Sequence, residues 1–418
     1  MTGVPGPVAL LLSAKLAGGV VMLSAALRRR GWRAVLVSEL ADDPNAAACD
    51  GHVVVAWDSA DKTVAAAVER AGVRPAAVVN MVESLSARRA ALLGHFGLAD
   101  PSPGLVSLLD KAAVRSAADA AGVFPVWWTA GSLRVLAETG PGRYPVVLKP
   151  ATESGASRDV HLLRSAEEWE RTVAGLLAGH AEDLFVVEEF LDGEEFSIDG
   201  YVIAGRFEPV FVADKPDHDT VRLRDRGLRM SPPLRIPAET VAGFVADLQV
   251  LVSGLGLDSA WLHVEGRLGA GGRAGLIEVN PRPGGGLYPS AIRHRTGVDP
   301  IELSLSLALG TALPVAASGH DDALAIVPLD AEALGVVDCR TTAAELRRLP
   351  GVVDAYVIDG YRVSTLDKEN FFAAVMVTGR DERQLRERAS GALAIMDYRV
   401  SRGPFSPDLP GNPARPPR

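Results

Sequence analysis

Hydrophobic and polar positions in the first hundred residues predict short strands separated by helices. Four apolar runs have the length of buried strands, and stretches of helical composition lie between them. These runs are residues 8–12, 34–37, 52–57 and 76–79. A helix over residues 20–30 would end before Gly31, a residue type that often follows a helix C-terminus. The pattern predicts a βαβ domain over residues 1–101, with a parallel sheet covered by helices.

A stricter alternation of apolar and polar residues occurs over residues 261–286, which read WLHVEGRLGAGGRAGLIEVNPRPGGG. The period of two predicts a hairpin with one apolar face and one polar face. The apolar positions are Leu262, Val264, Ile277 and Val279. A turn centred on residues 270–273 would set the polar residues against each other in two pairs, Glu265 with Glu278 and His263 with Asn280.

The two facing glutamates in this hairpin suggest a metal site. Like charges directly across a β-ladder destabilise it, and a divalent cation between them would remove the conflict. Oxygen atoms from Glu265, Glu278 and Asn280 suit Mg²⁺, with Mn²⁺ as an alternative ion. The competing interpretation is a solvent-facing hairpin whose charges never meet. The residues just after Asn280 could bind an anionic oxygen. Arg282 would supply a guanidinium, and Gly284 and Gly285 would supply backbone N–H groups.

A second domain is predicted to begin after residue 101. Ser102 is placed to cap a helix with Pro103 at its first position, and the opening helix carries Lys111. A β-run over residues 146–150 contains Lys149 and is followed by a loop of small residues. Lysine beside flexible backbone amides is typical of phosphate binding, although such a loop is also typical of a simple turn.

The segment after the strand at 185–191 is unusually acidic, with four acids within residues 192–199. It is either a charged turn or a hinge whose backbone pairs with an adenine edge while a carboxylate holds a ribose.

A small α+β domain is predicted over residues 319–402, beyond a linker at 311–318. Its elements are strands at 323–327, 352–358 and 371–377 and a helix at 381–396. The proline-rich residues 403–418 are predicted to be disordered.

Composition restricts the partners of this chain. With 418 residues, 48% of them hydrophobic, it can bury large cores and should form two or three domains. A net charge of -9 argues against a general nucleic-acid or anionic-membrane surface, so we expect small-molecule partners. Two cysteines, Cys49 and Cys339, fit a reducing compartment, and no segment is predicted to cross a bilayer. We therefore predict a cytoplasmic protein.

The turn after the first predicted strand lacks the G-x-G-x-x-G motif of dinucleotide-binding domains, so the N-terminal domain is interpreted as scaffold or as part of a substrate cleft.

The ordered set of these motifs resembles the ATP-grasp superfamily of carboxylate-amine ligases. The C-terminal region resembles that of bacterial L-amino-acid ligases and, more distantly, of biotin carboxylases. The resemblance implies a fold of class α/β plus α+β, in which subdomains at about 102–187 and 188–310 enclose ATP. It also implies a homodimer. One departure is Asp159, since many relatives carry glycine at this position.

The resemblance also implies a role for each motif residue. Lys111, Lys149 and Ser157 would bind the phosphates, and the loop around Gly155 would close as a lid. Glu188 and the backbone of Phe190 and Leu191 would contact adenine, and Glu195 would contact the ribose. His263 would also bind the nucleotide. Mg²⁺ would be held by Glu265, Glu278 and Asn280. Arg282 would reach the transferred phosphoryl group, and Lys149 and Arg282 would be catalytic. The substrate would meet Arg282, Gly284 and Gly285.

These implications predict an ATP-dependent ligase that activates the carboxylate of one amino acid and joins it to the amine of another. Its product would be a dipeptide or similar amide. Alternatives are a biotin-carboxylase-like or formate-dependent reaction of the same superfamily, and a nucleotide-binding protein without catalysis. Arg293, His294 and Arg295 are either further contacts for substrate carboxylates or a solvated cluster. His218 either lines the acceptor pocket or lies on the surface.

Overall fold

The first sheet forms the N-terminal part of the computed structural model, which describes residues 6–14, 19–152, 158–218, 227–366 and 368–401. Its strands are β1 (Val8–Leu12), β2 (Arg33–Ser38), β3 (Gly51–Val54) and β4 (Ala77–Asn80). All neighbours are parallel, in the order β3-β2-β1-β4. The helices are α1 (Val20–Arg29), α2 (Asp61–Arg70) and α3 (Ser86–His95). Apolar residues on both faces of β1 are buried, as a parallel sheet covered by helices requires. The predicted parallel domain is thus confirmed.

The second sheet has four antiparallel strands in the order β5-β8-β6-β7. They are β5 (Trp128–Ser132), β6 (Val146–Pro150), β7 (His161–Leu163) and β8 (Leu184–Glu189). Helices α4 (Lys111–Ala121), α5 (Leu133–Thr139) and α6 (Ala166–His180) belong to the same stretch of chain. The expected strand at 146–150 is present, so Lys149 lies near the end of β6.

The prediction of a Ser102-capped helix needs correction. Residues Pro103–Leu109 form a 3₁₀ helix, and the Ser102 side chain makes no cap to it. Its hydroxyl instead accepts hydrogen bonds from the backbone of Asp258 and Ser259 at 3.3 and 3.5 Å. The helix carrying Lys111 is capped by Asp110, whose carboxylate accepts from the second and third N–H groups of α4.

The third sheet has eight antiparallel strands and extends across the rest of the molecule. Its order is β13-β12-β9-β10-β11-β14-β18-β16. The strands are β9 (Glu195–Ile203), β10 (Arg206–Asp214), β11 (Arg229–Ser231), β12 (Ser259–Leu268), β13 (Ala274–Asn280), β14 (Ala323–Asp330), β16 (Val352–Val357) and β18 (Phe371–Gly379). The helices that follow its strands are α7 (Ala238–Gly254), α8 (Tyr288–Thr296), α9 (Pro300–Leu309) and α11 (Glu382–Ala394).

Strands that the sequence assigned to separate domains are joined in this sheet. β11 pairs with β14 through Met230 and Ala325, so the C-terminal strands continue the sheet that contains the hairpin. A smaller sheet of β17 (Arg362–Val363), β15 (Gly335–Cys339) and β19 (Tyr398–Ser401), with the short helix α10 (Ala343–Leu346), completes the fold. The predicted domain limits at residues 101, 187 and 310 stay predictions. In the described chain no helix combines the length and apolarity needed to span a bilayer.

Candidate functional site

Most residues singled out from the sequence line one cavity of about 380 Å³. The cavity lies where β6 and β8 of the second sheet face the β12–β13 hairpin of the third. The predicted residues in its wall are Lys111, Lys149, Glu188, Phe190, Leu191, Glu195, His263, Glu265, Glu278, Asn280, Arg282 and Gly285. Ser157 and Gly155 lie outside the described residues. Residues from distant parts of the chain are therefore brought together in one site.

The register of the hairpin agrees with its sequence pattern. Glu265 pairs with Glu278, and His263 pairs with Asn280. One position departs from the expected alternation, because the register shifts after Glu265 and leaves Ile277 as an unpaired bulge residue. Its side chain lines the cavity and is absent from the apolar core, which contains Leu262, Val264 and Val279. The prediction that Ile277 belongs to the core face was wrong for this reason.

The repulsion between the two facing glutamates is relieved by lysines in this structure. The Lys111 ammonium lies 3.0 Å from Glu278 Oε1, and the Lys215 ammonium donates to Glu265 Oε1 at 2.7 Å. Burial raises the pKa of Glu265, but Lys215 and His263 outweigh it and hold that pKa well below its usual value. The two lysines therefore neutralise the glutamates, and charge repulsion alone does not require a metal ion. The oxygen donors of Glu265, Glu278 and Asn280 still fit Mg²⁺.

Lys149 is held in place by a buried ion-pair network. Its ammonium donates to Glu188 Oε1 at 2.6 Å and to the Ile277 carbonyl at 3.2 Å. Arg115 donates twice to Glu188 Oε2, at 2.9 and 2.7 Å, and also to the Leu276 carbonyl. Burial raises the pKa of Glu188, but these two cations outweigh it and lower the pKa below its usual value. The network connects α4, β6, β8 and the hairpin at the floor of the cavity.

Glu195, at the start of β9, is surrounded by cations. Lys215 donates to its Oε1 at 2.8 Å, and Arg267 donates to its Oε2 at 2.5 Å. His218 Nδ1 lies 3.6 Å from the same Oε2. Burial raises the pKa of Glu195, yet Lys215, His218 and Arg267 lower it overall. His218 therefore lines the cavity and is not a surface residue, while its role at an acceptor stays a prediction.

Asp199, fully buried on β9, ties the hairpin to the loop that follows it. Its carboxylate accepts from Trp261 Nε1 at 3.0 Å, from the Gly284 N–H at 2.9 Å and from His263 Nδ1 at 2.7 Å. Burial lowers the pKa of His263, but Asp199 and Glu265 raise it to about 9. The Gly284 amide is therefore bonded within the protein, while the neighbouring Gly285 lines the cavity. A Cβ at Gly284 would lie 2.6 Å from the Tyr288 ring, so this close approach requires glycine.

The departure at Asp159 has a backbone explanation. Asp159 has φ of 56°, in the left-handed region that glycine adopts most readily. Aspartate is one of the few other residues that tolerate it, because its short side chain can bond locally. The turn after the loop of small residues therefore keeps a glycine-like conformation with an acid in place.

The sequence interpretation missed several residues of the cavity. Lys215 follows β10 in the same Lys-Pro arrangement that marks Lys149 at the end of β6, and this repeated dipeptide was the available signal. Glu83 comes from the N-terminal domain and had no local signal. Further examples, which also had none, are Arg115, Arg229, Arg267, Tyr356 and Phe371. Each depends on packing between elements distant in the chain.

The cluster at 293–295 lies away from the cavity. These residues form the last turn of α8, and none of them is in the cavity wall. Arg293 pairs with Asp299 at 3.2 Å, and Arg295 donates to the His320 carbonyl at 2.9 Å. The His294 and His320 rings stack with their centroids 4.3 Å apart. Their interpretation as contacts for substrate carboxylates is therefore not supported by the geometry.

One segment of the chain matches a known domain family, and the fold as a whole is similar to that of several solved structures. Residues 142–290 match the family model of the ATP-grasp domain. The whole fold is similar to that of an L-amino acid ligase and of an N5-carboxyaminoimidazole ribonucleotide synthetase, and at 17% identity this likeness concerns the fold alone.

Individual comparisons show how far the likeness extends. A crystal structure of L-amino acid ligase from Bacillus licheniformis matches with a TM-score of 0.78 at 17% identity, covering 95% of this chain and 100% of that one. The ADP complex of N5-carboxyaminoimidazole ribonucleotide synthetase matches with a TM-score of 0.68 at 17% identity, covering 94% and 98%. The uncharacterized protein y4rH of Sinorhizobium fredii is 28% identical over 349 residues, 79% of this chain and 69% of that protein.

Proposed function

We propose that this protein is an ATP-dependent carbon–nitrogen ligase that couples the carboxylate of one amino acid to the amine of a second. The observation that carries the proposal is the convergence of Lys111, Lys149 and Lys215 with two facing glutamates and Arg282 in one cavity. Phosphoryl transfer depends on positioning and on stabilising charge spread over the phosphate oxygens. A set of cations around a carboxylate pair supplies both.

We assign the adenine of ATP to one group of apolar residues in the cavity wall, called here the apolar end. This end is formed by Val147, Val160, Phe190, Leu191, Leu276 and Ile277. The Phe190 N–H donates to the Pro145 carbonyl at 3.3 Å, so the Phe190 carbonyl and the Leu191 N–H remain for the adenine edge. The two Glu188 oxygens are bonded to Lys149 and Arg115, which supports a positioning role for Glu188 and gives the adenine contact to the backbone.

Binding of nucleotide and metal would exchange the partners of charged groups. Lys111 and Lys215 now neutralise Glu278 and Glu265. Mg²⁺ held by these glutamates and Asn280 would neutralise phosphate charge. The two lysines, released from the glutamates, would turn to the phosphate oxygens. Metal and nucleotide should therefore bind with positive coupling, because either one alone leaves one set of charges unpaired.

The reaction follows from the charge on a carboxylate, which resists attack by an amine. A carboxylate oxygen would attack the γ-phosphorus, the bond to the ADP oxygen would break, and an acyl phosphate would form. The amine of the second amino acid would then attack the acyl carbon. The C–O bond between that carbon and the phosphate would break, so that phosphate leaves, the amine nitrogen loses a proton and the amide is formed. Arg282 and the Gly285 backbone are suited to the anionic oxygens, and the Glu83 carboxylate suits a substrate amine.

Bicarbonate or formate activation by the same superfamily is the competing reaction. These substrates are small and polar and need no apolar surface. The cavity nevertheless has a second apolar wall, formed by C-terminal strands. This wall favours an amino-acid substrate. Assembly as a homodimer, a cytoplasmic location and use of Mn²⁺ remain predictions.

A phosphate-release screen tests the proposal. Purified protein would be incubated with Mg²⁺-ATP and pairs of amino acids, with bicarbonate or formate in parallel, and products would be identified by mass spectrometry. We expect phosphate release that depends on amino acids, with a product mass equal to two amino acids minus water. Turnover with bicarbonate or formate alone would reassign the reaction, and ATP binding without turnover in any mixture would indicate a non-catalytic protein.

A further inference from the structure

The cavity continues beyond the Gly-rich loop after the hairpin into a wall of apolar side chains. Tyr288 comes from the start of α8, and the remaining residues come from β14, β16 and β18. This apolar wall consists of Tyr288, Ile326, Pro328, Tyr356, Phe371 and Ala374. All of these residues except Tyr288 belong to the C-terminal strands, and none of those five belonged to a motif that indicated the site in the sequence.

The apolar wall is fixed directly against the loop that carries Arg282. The Ser290 hydroxyl donates to Asp354 Oδ2 at 2.6 Å and so anchors β16 to α8. Tyr356 lies two residues further along β16, on the same face of the strand as Asp354. A Cβ placed on Gly286 would lie 3.7 Å from both Cε1 and Oη of Tyr356. The wall is therefore in contact distance of the loop.

The polar partners of the wall keep its aromatic rings in place. The Arg229 guanidinium lies 5.5 Å from the centroid of the Phe371 ring, a cation–π contact. The Tyr288 hydroxyl lies in hydrogen-bond contact with Ser197 Oγ at 2.9 Å. These contacts favour a preformed surface, which loses little conformational freedom when a ligand binds.

The nucleotide does not account for this surface. The proposed function assigns adenine to a different set of apolar residues. Val147, Val160 and Phe190 pack together, whereas Tyr288, Ile326, Ala374 and Tyr356 pack in a separate cluster. Apolar surface left in water is unfavourable by about 25 cal/mol for each Å², so a preformed apolar wall in a site indicates an apolar ligand group. The group must belong to a molecule that also places a carboxylate near Arg282.

We propose that the apolar wall binds the side chain of the amino acid whose carboxylate is activated, and that this side chain is large and apolar, either aromatic or branched aliphatic. The inference rests on the proposed ligase function. Tyr356 and Phe371 are the specificity-determining residues, because they project from neighbouring strands beside the Gly-rich loop. Gly285 and Gly286 have no side chain and Ala374 has only a methyl group, which leaves the space that a bulky group needs.

The first test compares acyl donors in the phosphate-release assay with one fixed amine acceptor. Glycine, alanine, leucine and phenylalanine would be supplied in turn, and kcat/KM would be measured for each. We expect leucine and phenylalanine to exceed glycine by about 10-fold or more, since burial of even one additional methylene changes kcat/KM by about that factor. Equal values for glycine and phenylalanine would overturn the inference and leave the ligase function intact.

The second test uses Tyr356→Ala, with Tyr356→Phe as the matched control. Tyr356→Ala should raise KM for phenylalanine by about 10-fold while leaving kcat and the ATP dissociation constant nearly unchanged. Tyr356→Phe keeps the ring and should retain the preference of the native protein. A loss of ATP affinity in Tyr356→Ala would place the nucleotide against this wall and overturn the inference.

Direct binding separates failure of this inference from failure of the proposed function. If no amino acid supports turnover, the ligase proposal fails. Equilibrium dialysis of labelled phenylalanine and glycine, with Mg²⁺ and a non-hydrolysable ATP analogue, then still tests the wall. Binding of phenylalanine in the native protein that Tyr356→Ala and Phe371→Ala both weaken would support the pocket. Absence of phenylalanine binding would overturn it.

Discussion

At the scale of single residues, each of three lysines in the cavity is held by a glutamate. Lys111 pairs with Glu278, Lys149 with Glu188, and Lys215 with both Glu195 and Glu265. Among the described residues that line the cavity, seven are Lys or Arg and seven are Glu, and His263, whose pKa is raised to about 9, adds a further positive charge. The site is therefore a set of exchangeable ion pairs, and removal of one charge should affect function in a way that identifies its partner.

Glu278→Gln tests the metal assignment. Loss of one anionic oxygen should lower Mg²⁺-dependent phosphate release by about 100-fold or more, because charge stabilisation by a metal is worth several kcal/mol. The protein should fold normally, since this side chain is partly exposed. Initial rates over a range of Mg²⁺ concentrations give the result. Glu239→Gln, an exposed change in the first turn of α7, is the control. Turnover at the native rate in Glu278→Gln would refute the assignment.

Lys149→Ala tests the phosphate contact. A charge-assisted hydrogen bond contributes about 1.5–3 kcal/mol, so ATP binding should weaken by roughly 10- to 100-fold. Isothermal titration calorimetry with Mg²⁺-ATP measures the change. Lys62→Ala, an exposed lysine on α2, should bind ATP like the native protein. If both variants bind ATP equally well, Lys149 has no phosphate role.

At the scale of secondary-structure elements, the hairpin depends on its apolar face as much as on its polar face. Leu262, Val264 and Val279 pack in one core with Phe196 and Phe244. This packing fixes which residues turn toward the cavity, because a shift of one residue along a strand would exchange its two faces. The bulge at Ile277 is such a one-residue shift confined to one position, and it places one apolar residue in the cavity wall.

Gly266→Ala tests this packing. A Cβ at Gly266 would lie 2.7 Å from the rings of both Phe196 and Phe244. Overpacking of this kind should lower the free energy of unfolding by about 1–3 kcal/mol. Gly243→Ala is the matched control, since a Cβ at this helical position meets nothing within 4 Å and should stabilise by about 0.5–1 kcal/mol. Urea unfolding measures both, and equal stability of the two variants would contradict the packing argument.

At the scale of the whole molecule, the site is built by parts that are far apart in the chain. The Glu188 network joins the second sheet to α4 and to the hairpin of the third sheet. The eight-stranded sheet then carries the C-terminal strands to the opposite wall of the cavity. Stability and site geometry are therefore coupled through a few buried charges.

Glu188→Gln tests this coupling. Removing the acid leaves Lys149 and Arg115 buried without their shared partner, which should lower the free energy of unfolding at pH 7 by about 3–5 kcal/mol. The folded-state pKa of Glu188 lies below its usual value, so its contribution is present above the unfolded pKa of about 4.3 and is lost as pH falls through the lower folded pKa. The difference between variant and native protein should therefore narrow at acid pH.

Unfolding by urea at pH 7 and at pH 3 would measure this narrowing. Glu182→Gln is the control, because its pair with Arg134 is exposed and should contribute less than about 1 kcal/mol at either pH. A constant difference between Glu188→Gln and the native protein at both pH values would show that the carboxylate charge does not carry the effect.

The sequence by itself determined those features that depend on local periodicity. The parallel N-terminal sheet, the pairing of Glu265 with Glu278 and the position of Lys149 near the end of β6 follow from the alternation and spacing of neighbouring residues. A strand has two faces with a period of two, and a turn sets its register, so a short stretch of sequence contains the necessary information.

Only the tertiary structure decided which charges meet and what surrounds them. Three contacts join elements that no local pattern connects. They are those of Lys111 with Glu278, of Arg115 with Glu188 and of Tyr356 with the backbone at Gly286. The physical reason is that periodicity determines which face of an element is buried, whereas the partner of that face depends on how whole elements pack. The union of hairpin and C-terminal strands in one sheet has the same origin.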